Sequence, residues 1–163
     1  MRLTADTALV LATDRLRWAL DRPPRCGDGE WGDRLGRALA SLGDALKHHA
    51  DLLESPHGLF ALAVDPSLLP VTPLARQVHE LRQAHAELLA RISALQQQLR
   101  DAAQESGSHP DAPAAAISAV AHGAHQLLAA IEDHEAVEEA ADVSSRPFGT
   151  GIFLGPRGPE RVD

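Results

Sequence analysis

Apolar residues recur along most of this chain at steps of three and four, the period of a helix with one buried face. The first such stretch covers roughly 4–21 and aligns Leu9, Ala12, Leu16 and Leu20. A second, over about 31–54, carries the seam Leu35, Leu39, Leu42, Leu46, His49 and Leu53. The third, over about 73–104, is the most regular: Leu74, Val78, Leu81, His85, Leu88, Ile92, Leu95 and Leu99. The fourth, over about 111–142, aligns Ile117, Val120, Ala124, Leu127, Ile131, His134 and Glu138.

Breakers separate these segments. Pro23, Pro24, Gly27 and Gly29 end the first, the 65–70 turn precedes the third, and Gly107 to Pro110 closes it. Thr72 before Pro73 reads as a cap with proline at the first helical position, and Asp111 can cap the fourth helix. Ser55-Pro56 has the same form and predicts a short apolar helix over 59–64. Four amphipathic helices on short connections pack antiparallel. The expectation is an all-α, up-down-up-down four-helix bundle over 1–142, followed by an irregular Gly/Pro-rich tail over 143–163.

Composition agrees with this reading. Hydrophobic residues make up 44% but aromatic ones only 3%, so Ala and Leu supply the apolar surface and strand formers are few. The net charge is −8, from 23 acidic against 15 basic residues, which disfavours nucleic acid and anionic membrane surfaces as partners. Cys26 is the only cysteine, so no intrachain disulfide forms. No stretch approaches the ~20 apolar residues of a membrane span, and the first residues lack the form of a signal peptide. These features predict a soluble, cytoplasmic protein.

The seams contain one anomaly. Helices two, three and four each spend an inward position on a histidine, at His49, His85 and His134. Residues equidistant from an antiparallel turn lie at one height, since each rises about 1.5 Å. The midpoint of 49 and 85 is 67, inside the 65–70 turn, and that of 85 and 134 falls between His109 and Pro110. All three histidines therefore belong to one layer. Burying three imidazoles is costly unless something pairs with them, and a metal ion does so well. Carboxylates complete such sites for iron or manganese. Glu138 lies one turn from His134 on the same face, Glu139 adjoins it, and Glu54 follows His49 by five residues.

In these segments the chain resembles the hemerythrin-like, HHE cation-binding domains, especially their divergent bacterial branch. The likeness is carried by His49-Ala-Asp-Leu-Leu-Glu54 leading to Gly58-Leu59-Phe60, by Leu81-Arg-Gln-Ala-His85-Ala-Glu-Leu-Leu, and by His134 with Glu139 five residues on. It spans about residues 31–142. The resemblance implies non-haem iron, bridged as a pair in the family, that binds or senses dioxygen, peroxide or nitric oxide. His49, Glu54, His85, His134 and Glu139 match its ligand positions. The chain also departs from the pattern. Helix one has no histidine, Leu81 and Ala84 stand where fuller members carry ligating or acidic residues, and Glu139 replaces an aspartate. A di-iron centre, a reduced mononuclear site and a lost site all stay open.

Other chemistry-bearing residues have plainer readings. His122 and His125 have the spacing of a zinc clip but lie off the seam, and His48 and His79 also fall on flanks. No nucleophile with a placed base is visible, so an enzyme in the usual sense is not expected. The tail concentrates Phe148, Ile152, Phe153 and Leu154, more apolar bulk than disordered tails carry. This leaves an alternative function: a metal-free helical recognition domain whose tail engages a protein partner or a modifying enzyme, as in peptide precursors.

Overall fold

The computed structural model describes residues 3–21, 29–55, 73–105 and 112–145. They form four helices, α1 (Leu3–Leu20), α2 (Gly29–Glu54), α3 (Pro73–Glu105) and α4 (Ala112–Ser145), and no strand is found among them. The all-α four-helix bundle expected from the periodicity is the observed architecture. Its boundaries agree with the expected ones to within three residues. The short helix expected over 59–64 and the tail beyond 145 lie outside the described residues.

Consecutive helices are neighbours: α1 packs on α2, α2 on α3 and α3 on α4, while α4 closes on α1 least tightly. The core is the set of seams. Leu16, Leu35, Leu39, Leu42, Leu46 and Ile131 are fully buried, with Leu88, Ile92, Val120 and Leu127 packed among them. Leu53, Leu99 and Ile117, near the seam ends, are only partly buried. Small residues bring the helices close together. A Cβ added at Gly123 would stand 2.6 Å from Leu95 Cδ2, so the Leu95 side chain on α3 packs over Gly123 and would have to shift for a larger residue.

Two buried polar contacts fix the α1 side. Thr13 is buried and its hydroxyl donates to the Leu9 carbonyl one turn back at 2.9 Å. Trp31, 1% exposed, donates its indole Nε1–H to the Ala19 carbonyl at 3.1 Å. Ala19 lies in the last turn of α1, where carbonyls have no helical donor left to accept from, so the indole satisfies one of them. Trp18, by contrast, is half exposed, with the Arg34 guanidinium carbon 5.4 Å from its ring centre. No described helix is long and apolar enough to cross a membrane.

Trp31→Phe keeps most of the packing but removes the donor, so the Ala19 carbonyl loses its partner. It should lower unfolding stability by about 1–2 kcal/mol. Urea denaturation followed by far-UV circular dichroism checks this, with the exposed His48→Ala as a control expected within about 0.5 kcal/mol of the parent.

Candidate metal centre

The histidine layer lies towards the end of the bundle where α2 and α4 finish. His49 comes from the last turns of α2, His85 from the first half of α3 and His134 from the last third of α4. Each holds a position where its seam otherwise has Leu, Ile or Val, and all three are buried, at 6%, 3% and 7% exposure. Their rings meet edge to face. The His49 and His85 centroids are 5.5 Å apart and those of His85 and His134 4.5 Å, with interplanar angles of 78° and 76°.

Glu138 is the centre of the layer. Four residues after His134, it shares that residue's face of α4 and points across the bundle. Its Oε2 lies 2.9 Å from His49 Nε2, and its Oε1 lies 3.0 Å from His85 Nε2. An ionised carboxylate can only accept, so in the metal-free state both imidazoles donate from Nε2. His134 Nε2 is also close to Oε1, at 3.1 Å, but lies outside hydrogen-bond alignment and is a buried ring nitrogen without such a partner. His85 Nδ1 is likewise buried and unpartnered.

The electrostatics follow from this crowding. Burial acts to raise the Glu138 pKa, but His134, His49 and His85 together outweigh it and hold the carboxyl far below its usual range. Glu135, half-buried and one residue past His134, responds in the opposite sense. Burial first, and then the negative charge of Glu138, raise its pKa against the pull of His49. Glu138 is thus ionised throughout the neutral range, and Glu135 is the more readily protonated of the two.

Of the six residues with ligand potential read from the sequence, the structure brings four together: His49, His85, His134 and Glu138. Ligand atoms of His49, His85 and Glu138 all lie within 4.8 Å of one another, a spacing that could hold a metal ion. Glu54 and Glu139 are not part of the layer. Glu54 is exposed and pairs with Arg82 at 3.6 Å, and Glu139 is exposed on the outer side of α4. His48, His79, His122 and His125 are exposed, as their flank positions predict, and His122 only contacts Gln126 on its own helix. Cys26 and the tail residues Phe148, Ile152, Phe153 and Leu154 lie outside the described residues. Glu135 was not singled out from the sequence. Its signal, one residue off the seam and between two ligand candidates, is shared by many solvated residues.

The donor set suits a transition metal. Two imidazoles and one carboxylate within reach of one another, with a third imidazole beside the carboxylate, combine borderline nitrogen with hard oxygen and match Fe(II), Mn(II), Co(II) or Zn(II) rather than the all-oxygen sites of Ca²⁺ or Mg²⁺. His134 Nε2, buried beside the carboxylate but not hydrogen-bonded to it, is a donor atom that a metal could engage. The residues present therefore fit a bound ion. Comparison of the chain with protein-family models, with curated proteins and with solved structures finds no match.

Because Glu138 titrates well below the 4.5 of an ordinary glutamate, its contribution to metal-free stability is complete above that pH and is lost on acidification. In chelator-treated protein, Glu138→Gln should lower stability at pH 7 by about 1–3 kcal/mol. The gap between parent and variant should narrow as pH falls below about 4.5, in denaturation curves recorded from pH 7 to pH 3.

Proposed function

We propose that this protein is a hemerythrin-like metal-binding protein, holding non-haem iron in its bundle core to bind or sense a small oxidant or diatomic gas. The observation that carries the reading is the convergence of three buried imidazoles on one partly buried carboxylate, with the His134 ring nitrogen beside it and not hydrogen-bonded. The segment resemblance around His49, His85 and His134 supports iron in particular, and a reducing cytoplasmic setting suits it.

Iron so held supplies a redox-active centre for a ligand such as dioxygen, peroxide or nitric oxide. The chain's own residues do the rest. His49 and His85 present neutral nitrogen donors, which requires the proton each donates from Nε2 to Glu138 in the metal-free state to move to Nδ1, and His134 offers a further nitrogen beside the carboxylate. Glu138 brings a negative charge that offsets a cation in a low-dielectric setting. Buried Leu81 and Leu88 on α3 and Ile131 on α4, each about one turn from a histidine, limit water at the layer.

Protein expressed with iron available should contain iron by elemental analysis and show ligand-to-metal absorption when oxidised. His85→Ala should reduce bound iron at least tenfold while leaving helicity intact. Iron-free protein that also fails to take up Fe(II) after anaerobic reconstitution overturns the reading.

A second reading, a protein-interaction module, draws on α1, where Val10, Leu11 and Trp18 are about half exposed on the side away from the core. The double variant Val10→Ser/Leu11→Ser separates the two. The metal reading expects unchanged iron content, and the interaction reading expects loss of a bound partner in co-purification.

A further inference from the structure

We propose that the layer holds a single divalent transition-metal ion rather than a bridged pair, with Glu138 as the one carboxylate that binds it. The proposal rests on the metal-binding reading above and narrows it.

Donor supply gives the first reason. Among the described residues, the mutually close donors come from His49, His85 and Glu138, with His134 Nε2 beside Glu138 Oε1. Even with His134 counted these are five donor atoms, enough for one first-row ion, which takes about four to six ligands, but short of the roughly eight or more that two ions need. The two carboxylates that would enlarge the set are turned away, Glu54 into its pair with Arg82 and Glu139 into solvent.

Spacing gives the second. Donors around one ion stand about 3–3.5 Å apart, because each metal–donor bond is about 2 Å long. The nitrogen–carboxylate separations of 2.9, 3.0 and 3.1 Å are already of that size. Ligand atoms of His49, His85 and Glu138 also lie within 4.8 Å of one another, so one ion can be reached by all three residues.

The walls give the third. One turn to either side of His85 stand Leu81 and Leu88, 2% and 4% exposed, and the turn before His134 carries Ile131 at 0%. One heptad step up α2 from His49 is Leu42, also at 0%, with Leu46 between them. A second ion beside the first would lie against these apolar side chains with no donor from them.

The test uses the full-length chain, stripped with chelator and reloaded anaerobically with Fe(II) or with Co(II) alone. Native mass spectrometry should give one ion per chain. The Co(II) form should show the full electron-spin intensity of an isolated ion, whereas an exchange-coupled pair loses intensity. The double variant Glu54→Gln/Glu139→Gln alters only exposed positions and should bind one ion with affinity within threefold of the parent. Glu138→Gln should weaken binding at least tenfold. Two ions per chain, or a coupled Co(II) spectrum, overturns the single-ion proposal and leaves the metal-binding reading standing. Loss of an ion in the Glu54/Glu139 variant does the same. No bound ion with either metal overturns both.

Discussion

A partly buried carboxylate beside three buried imidazoles sets the terms for the rest of this structure. Glu138 is ionised inside a bundle otherwise lined by Leu, Ile, Val and Ala, where an unpaired charge would cost several kcal/mol. It is tolerated because His49 and His85 donate to it from two other helices while His134 stands beside it on its own. Each histidine in turn is acceptable in the core only because the carboxylate is there. The four side chains form one mutually dependent unit, and α2, α3 and α4 must meet at one height for it to exist.

Most of the bundle, and part of this unit, were legible in the sequence for a single physical reason. Seam positions in a helix repeat every 3.6 residues, so the apolar pattern names the inward residues directly. His49, His85 and His134 interrupt that pattern at inward positions, and equal distances from the turns place them in one layer. Glu138 followed from the same rule, because four residues advance only about 40° around the helix from His134. Glu139, taken from the five-residue spacing of the resemblance, is turned about 140° from His134 and faces outward. Glu54 stands in the same relation to His49, and Arg82 holds it at the surface. The carboxylate of the layer is thus the one that periodicity aligns with His134.

The features that the sequence did not disclose depend on distances between helices rather than on positions along them. The indole of Trp31 capping the Ala19 carbonyl, the close approach of Gly123 to Leu95, and the electrostatic coupling of Glu135 to the layer are of this kind. None has a periodic signal. Trp31 lies near the start of α2, where the apolar pattern has barely begun, and Glu135 reads as one member of an acidic run. Helix α1 shows the limit from the other side. Its lack of histidine was evident, but its loose closure on α4 was not.

The polar layer has a consequence beyond chemistry. Layers built from Leu and Ala are nearly interchangeable, so a helix in such a bundle could slide by seven residues and find similar neighbours. Sliding α4 by that amount would leave Leu against Leu but would carry Glu138 about 10 Å from its histidines. Four charged or polar side chains would then be buried without partners, against little change in apolar contact. The layer acts like the single tooth that lets a key turn in only one position: it removes the near-degeneracy of the apolar seams and leaves one register for the bundle.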